Sequence, residues 1–219
     1  MLCMQNNSIK ISLPVIEHEL KKRFQFPYRW GQKQNDTMDR QTNFIYHILE
    51  LSTIIERIQT DFSSKPNYQE YFDYTLNRWY NFWSSQAVEH IFCSHQNVIP
   101  STAKDRTKDF SINGITFDHK TSVFPKGFGK PLDYATTHKR EIIQWLYDHQ
   151  SQQQRFHSKN RLFIVLHKSD GNHWQLKAEI GLFQKLIDQY LFSFDPEHLE
   201  KFNFEKDSET LSDIIWGIG

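Results

Sequence analysis

Asp109, Asp118 and Lys120 are the residues of this chain whose types and spacing could do chemistry together. They lie in the stretch Lys108 to Phe124, KDFSINGITFDHKTSVF, with Asn113-Gly114 near its centre. Both turn residues tolerate the positive φ of a type I′ turn, so the stretch reads as a β-hairpin with a two-residue loop. Such a loop fixes the register. Ile112 is expected to face Ile115, Ser111 to face Thr116, Phe110 to face Phe117, and Asp109 to face Asp118. Side chains alternate along a strand, so Phe110, Ile112, Ile115 and Phe117 share an apolar core face. Asp109, Ser111, Thr116, Asp118 and Lys120 share the other. Carboxylates directly opposite each other repel. A divalent cation between them would turn that cost into a site. Mg2+ takes oxygen ligands and keeps waters, so two or three carboxylates plus a bound phosphate suffice. Such an ion lowers the pKa of its water and clamps a phosphoryl group. Lys120, two residues from Asp118 on the same face, could orient or help deprotonate the water, or stabilise developing charge. His119 is expected to point to the opposite face and pack.

A helix must deliver the hairpin and another must cover it. Residues 68–95 carry Tyr71, Trp79, Phe82, Trp83, Val88, Ile91 and Phe92 at helical spacing and read as one long helix with a broad apolar face. Glu89 sits among them, one turn from the end. It is either a rim carboxylate in water or a third carboxylate aimed at the hairpin. Val98-Ile99 opens a short edge strand before Pro100. Further upstream, 16–26 reads as a short amphipathic helix. Residues 38–60 read as one long helix, with apolar residues at three- and four-residue steps. Downstream, FPKGFGKP (124–131) is a loop whose glycines permit close approach to a phosphate, or is simply a connector. Residues 132–154 read as a third helix and 178–191 as a fourth. RLFIVLH (161–167) is a near-continuous apolar run, the mark of a central strand buried on both faces. LSDIIWGI (211–218) is a final strand or a docking segment. The fold class is therefore α/β, with a mostly helical N-terminal accessory segment over 1–67 and a core over 68–219 that ends in an acidic tail.

Composition narrows the classes. With 219 residues, 38% hydrophobic, 15% aromatic and only 8 Gly and 7 Pro, the chain suits one sizeable aromatic-rich core. No apolar run is long enough to span a membrane, and the N-terminus lacks the layout of a signal peptide. Two cysteines, Cys3 and Cys93, do not make a disulfide framework. A cytoplasmic location is the default expectation. Net charge is zero but unevenly spread: residues 101–168 carry 12 Lys+Arg against 6 Asp+Glu, and residues 169–219 carry 4 against 10. A basic middle fits a polyanion on one face, or is a charge dipole without a partner. Lys104, Arg106, Lys126, Lys130, Lys139, Arg140 and Gln144 are the candidate nucleic-acid contacts.

Asp109, then eight residues, then Asp118-x-Lys120, with Glu89 on the preceding helix, resembles the PD-(D/E)XK nuclease superfamily. The resemblance covers about residues 70–170. It implies a restriction-endonuclease-like core, a mixed β-sheet flanked by helices. It also implies metal-dependent hydrolysis of phosphodiester bonds. Asp109, Asp118 and Glu89 would then be metal ligands, Lys120 a catalytic residue, and Mg2+ (or Mn2+ in its place) the cofactor. Lys108 stands where the motif's proline would be. Gln144 and Tyr147 on the following helix are similar to a pair in the exonuclease-like branch, with one residue fewer between them. The partner implied is nucleic acid, double-stranded DNA first, and a homodimer would suit cutting of both strands. Rival readings stay open. One is a binding or assembly module of the same fold without turnover. Another is a hairpin whose D-x-K is a surface ion pair. A His-based hydrolase finds no ligand spacing of the H-E-x-x-H kind among the 11 histidines.

Overall fold

Pro14, in the first turn of α1 (Leu13–Lys22), starts that helix where a missing N–H costs nothing. The computed structural model describes residues 12–29, 35–102, 108–150, 159–205 and 208–219. Its helices continue with α2 (Asp36–Gln41), α3 (Leu51–Phe62) and α4 (Tyr68–Cys93). The single helix expected over 38–60 is broken. A 3-10 turn at Asn43–Tyr46 and an extended stretch separate α2 from α3. The break is tolerated because carbonyls freed there find partners on α4. Trp83 Nε1 donates to Ile45 O and Ile48 O at 3.1 and 3.0 Å, and Trp79 Nε1 to Ile48 O at 3.1 Å. The restart of α3 is capped from a distance, with Leu51 N donating to Glu19 Oε2 at 2.9 Å. These residues belong to one compact unit, formed by the described residues up to Val88 together with Lys177–Gly181. The other comprises Glu89–Leu176 and Leu182–Gly219. The expected division at 67/68 lies at the start of α4, and the two units part within that helix.

The second unit holds a six-stranded mixed sheet. Its strands are β1 (Val98–Pro100), β2 (Phe110–Ile112), β3 (Ile115–Val123), β4 (Arg161–His167), β5 (Glu200–Glu205) and β6 (Ser208–Ile218), in the spatial order β1-β2-β3-β4-β6-β5. β1, β2 and β3 form an antiparallel meander; β4 joins β3 in parallel and β6 joins β4 in parallel. β4 is thus interior, and its first six residues are buried, as its apolar run required. The C-terminal segment is a strand inserted between β4 and β5.

Between β3 and β4 the expected single helix is two, α5 (Leu132–Thr137) and α6 (Lys139–Gln150), parted at His138. Ile142, Ile143, Leu146 and Tyr147 of α6 pack on Phe163, Val165 and Ile214 of the sheet. Parallel register puts Asp118 beside Arg161, Lys120 beside Phe163 and Ser122 beside Val165. Asp118 and Lys120 therefore project from the face that α6 covers. After β4 comes α7 (Ile180–Phe192).

The hairpin turn is as read: Asn113 has φ 48° and Gly114 φ 86°, both positive as type I′ requires. Gly114→Val is expected to cost about 1–2 kcal/mol, the penalty of left-handed backbone for an L-residue. A Cβ at Gly114 meets nothing within 4 Å, so chemical denaturation should report a backbone effect alone. No loss of stability would mean that the turn is not held in this conformation.

Candidate functional site

The register through the hairpin holds for three pairs and then changes. Phe110 pairs with Phe117, Ser111 with Thr116 and Ile112 with Ile115. Asp109 N donates to Phe117 O at 2.8 Å. Asp109 and Phe110 thus both address Phe117, two residues against one, as in a β-bulge. The regular alternation that would set Asp109 opposite Asp118 ends here. The Asp109 carboxylate turns instead to His119. Its Oδ2 accepts from His119 N at 2.8 Å and lies 2.9 Å from His119 Nδ1. Burial alone would raise the pKa of this carboxyl. The hydrogen bonds and charge of His119, with Lys120 behind them, outweigh burial and hold it down to about 2.

His119 lies on the apolar face, as expected, but does more than pack. Its ring stacks near Phe110 (6.0 Å between centroids) and lies 6.3 Å from Phe92, while Phe92 stacks on Phe110 at 4.5 Å. Glu89 is three residues before Phe92, on the same helical stripe. Only 3% of it is exposed, so it is not the rim carboxylate of the alternative reading.

Asp118 belongs to a different group. Its backbone N–H is fixed by Asn160 O at 3.0 Å. Asn160 also ties the strand starts together, donating from Nδ2 to Thr116 O (3.1 Å) and accepting at Oδ1 from Leu211 N (2.7 Å). Asp118 Oδ1 accepts from Lys120 Nζ at 2.9 Å, and Oδ2 lies 3.6 Å from Arg161 Nε. The Lys120 side chain is 49% exposed and that of Arg161 only 8%. The guanidinium carbon of Arg161 sits 4.8 Å from the centroid of the Tyr147 ring. Tyr147 is fully buried, and its hydroxyl donates to Lys159 O at 2.8 Å.

The structure thus brings Asp118 and Lys120 together, pairs Asp109 with His119, and buries Glu89. Among the described residues, no group of three His, Cys, Asp or Glu side chains could hold a metal. The three-carboxylate cage expected from the spacing is not formed. What suits a hard cation is Asp118, whose Oδ1, among the described residues, is hydrogen-bonded to a half-exposed lysine. Mg2+ commonly takes one or two carboxylates and leaves the other positions to water and phosphate.

Arg161 and His119 were missed as site residues. The signal for Arg161 was a charge opening an otherwise apolar central strand, where an unanswered guanidinium is too costly to bury. Several candidate nucleic-acid contacts serve other ends. Lys139 Nζ bonds Asp213 Oδ1 at 2.9 Å and His198 O at 3.0 Å. Arg140 bonds Lys201 O at 2.7 Å and lies over Phe202. Gln144 bonds Asp148 on its own helix. Lys126 and Lys130 are exposed, Lys130 over the Tyr134 ring. Gly127 backs onto Trp145, where a Cβ would come within 3.0 Å. Its lack of a side chain serves packing. Lys104 and Arg106 lie outside the described residues. No family model, curated protein or solved structure matches the chain.

Asp109 has a folded-state pKa below its unfolded value, so its contribution is complete above about pH 4 and disappears as pH falls through about 2. Asp109→Asn is expected to lose about 2 kcal/mol at neutral pH. In urea titrations the gap from wild type should close as pH falls toward 2. A gap that is the same at both pH values would contradict the Asp109–His119 pairing.

Proposed function

We propose that the chain is a metal-dependent nuclease that hydrolyses phosphodiester bonds in DNA, of the endonuclease kind, on a restriction-endonuclease-like core. The observation that carries this reading is the Asp118–Lys120 pair, 2.9 Å apart on one face of a sheet strand, with Lys120 half exposed. Support comes from element order. A long helix, an edge strand, a hairpin, a helical crossover and a parallel buried strand follow one another, as the motif resemblance implies.

Asp118 would hold Mg2+, with waters and the substrate phosphate in the remaining positions; Mn2+ would serve in its place. When bound, the ion would supply a more acidic water and neutralise phosphoryl charge. The chain's own residues do the rest. Lys120 has three N–H donors and, among the described residues, uses one on Asp118, which leaves two for phosphoryl oxygens or the attacking water. Because the ammonium is already beside the carboxylate, it stabilises developing negative charge with little reorganisation. Lys126 and Lys130, exposed on the loop after β3, would contact the DNA backbone.

A second reading has an observation of its own. Lys120, Asp118 and Arg161 form a group with two cations and one anion, which suits an anionic ligand without a metal. A nucleic-acid-binding module without turnover would look the same. Cleavage of circular and linear DNA with Mg2+, Mn2+ or EDTA separates the two. Wild type should cut only with metal, and Asp118→Ala and Lys120→Ala should each lower the rate by at least about 10²–10³-fold. Binding of DNA and RNA without cutting of either would give the case to the binding module.

A further inference from the structure

Arg161 is the least expected charge in the structure. It opens the interior strand β4, its side chain is 8% exposed, and its buried Nε has no hydrogen-bond partner among the described residues. The carboxylate oxygen paired with it, Asp118 Oδ2, is 3.6 Å away, beyond hydrogen-bond length. A buried ion pair with a hydrogen bond left unmade is a poor source of stability. Hydrophobic side chains would fill the place at lower cost.

The geometry gives it another use. The two oxygens of Asp118 have different partners. Oδ1 bonds a lysine on a half-exposed stem, and Oδ2 faces a buried guanidinium. The guanidinium carbon of Arg161 lies over the Tyr147 ring, 4.8 Å from its centroid, and that ring is anchored by its own hydroxyl to Lys159 O. The backbone on either side is tied down as well: the Arg161 carbonyl accepts from Ser212 Oγ at 2.7 Å, and the Asn160 carbonyl accepts from Asp118 N. The half-exposed Lys120 contact is the one a ligand would exchange.

We propose that Arg161 is a positioning residue: backed by Tyr147, it keeps Asp118 Oδ2 turned inward, so that Oδ1 is presented outward to the incoming cation or phosphate-bound water. The assignment rests on the nuclease reading for what arrives, but the Asp118–Arg161 contact can be tested without it. Lysine would not replace arginine here. An ammonium keeps the charge but lacks the plane that stacks on Tyr147 and the fixed direction of its N–H groups.

Three measurements on the full chain test it. In cleavage kinetics, Arg161→Lys should leave KM for DNA within about twofold and lower kcat by about 10–100-fold, the usual effect of disturbing a residue that orients a metal ligand. Mn2+ titration of the same variant, followed by electron paramagnetic resonance, should show affinity weakened by a similar factor. Tyr147→Phe, which keeps the ring and loses its anchor, should fall between wild type and Arg161→Lys. The third measurement needs no activity. The Arg161 15Nε and Hε chemical shifts should be unchanged in Lys120→Ala and displaced in Asp118→Asn, which removes the charge facing the guanidinium. Wild-type kcat and Mn2+ affinity in Arg161→Lys would overturn the proposal. So would Arg161 Nε–Hε shifts in Asp118→Asn equal to those of wild type. If wild type neither cuts nor binds Mn2+ while the shift pattern appears as described, the nuclease reading falls and the positioning role stands.

Discussion

Burying a guanidinium at the start of an interior strand costs several kcal/mol unless a counter-charge lies beside it. Arg161 imposes that constraint on this sheet, and Asp118 meets it. Much of the second unit follows from keeping the two together. They are partners across a parallel ladder, so β3 and β4 must pair in one register and no other. A slip by one residue would set Arg161 against Phe117 or His119 and leave two charges unanswered. Asn160 reinforces the register by bonding to β3 and β6 at once. Tyr147 closes the arrangement from α6, so the helix that fills the crossover is also part of the electrostatics.

The bulge at Asp109 divides the aspartates between two networks. Without it, the hairpin would set two carboxylates opposite each other and destabilise itself. With it, each carboxylate has a protein partner: His119 for Asp109, and Lys120 with Arg161 for Asp118. Repulsion in the sequence pattern is thus relieved by the backbone before any ligand is needed. What a ligand would add is competition for Lys120, the most exposed member of the group.

The parts legible in sequence were those set by local chemistry or strong periodicity. Asn113-Gly114 specified the turn, and the apolar run of β4 specified an interior strand. Asp118 and Lys120 share a face because strand alternation is strict. What escaped was set by distant partners. The break between α2 and α3 cannot be read from 38–60, because the groups that receive its carbonyls, Trp79 and Trp83, belong to α4. The turn of Asp109 toward His119 depends on one backbone hydrogen bond that alternation does not encode. Arg161 could be recognised as buried, but its partner is 43 positions away and appears only when β3 and β4 align.

The charge pattern has a physical source of the same kind. A basic middle and an acidic tail suggested a polyanion partner. In the sheet unit those two stretches meet each other. Lys139 pairs with Asp213 and approaches Glu200, Arg140 approaches Glu200, and Lys168 pairs with Asp170. Part of the asymmetry is therefore the chain's own complementarity, with α6 bound to the edge where β5 begins. Lys126 and Lys130 stay exposed on the loop after β3. That loop follows directly from the strand bearing Asp118 and Lys120. Polyanion binding, where it occurs, therefore has to be argued from the loop and Lys120, because the net charge of residues 101–168 includes cations already committed to the fold.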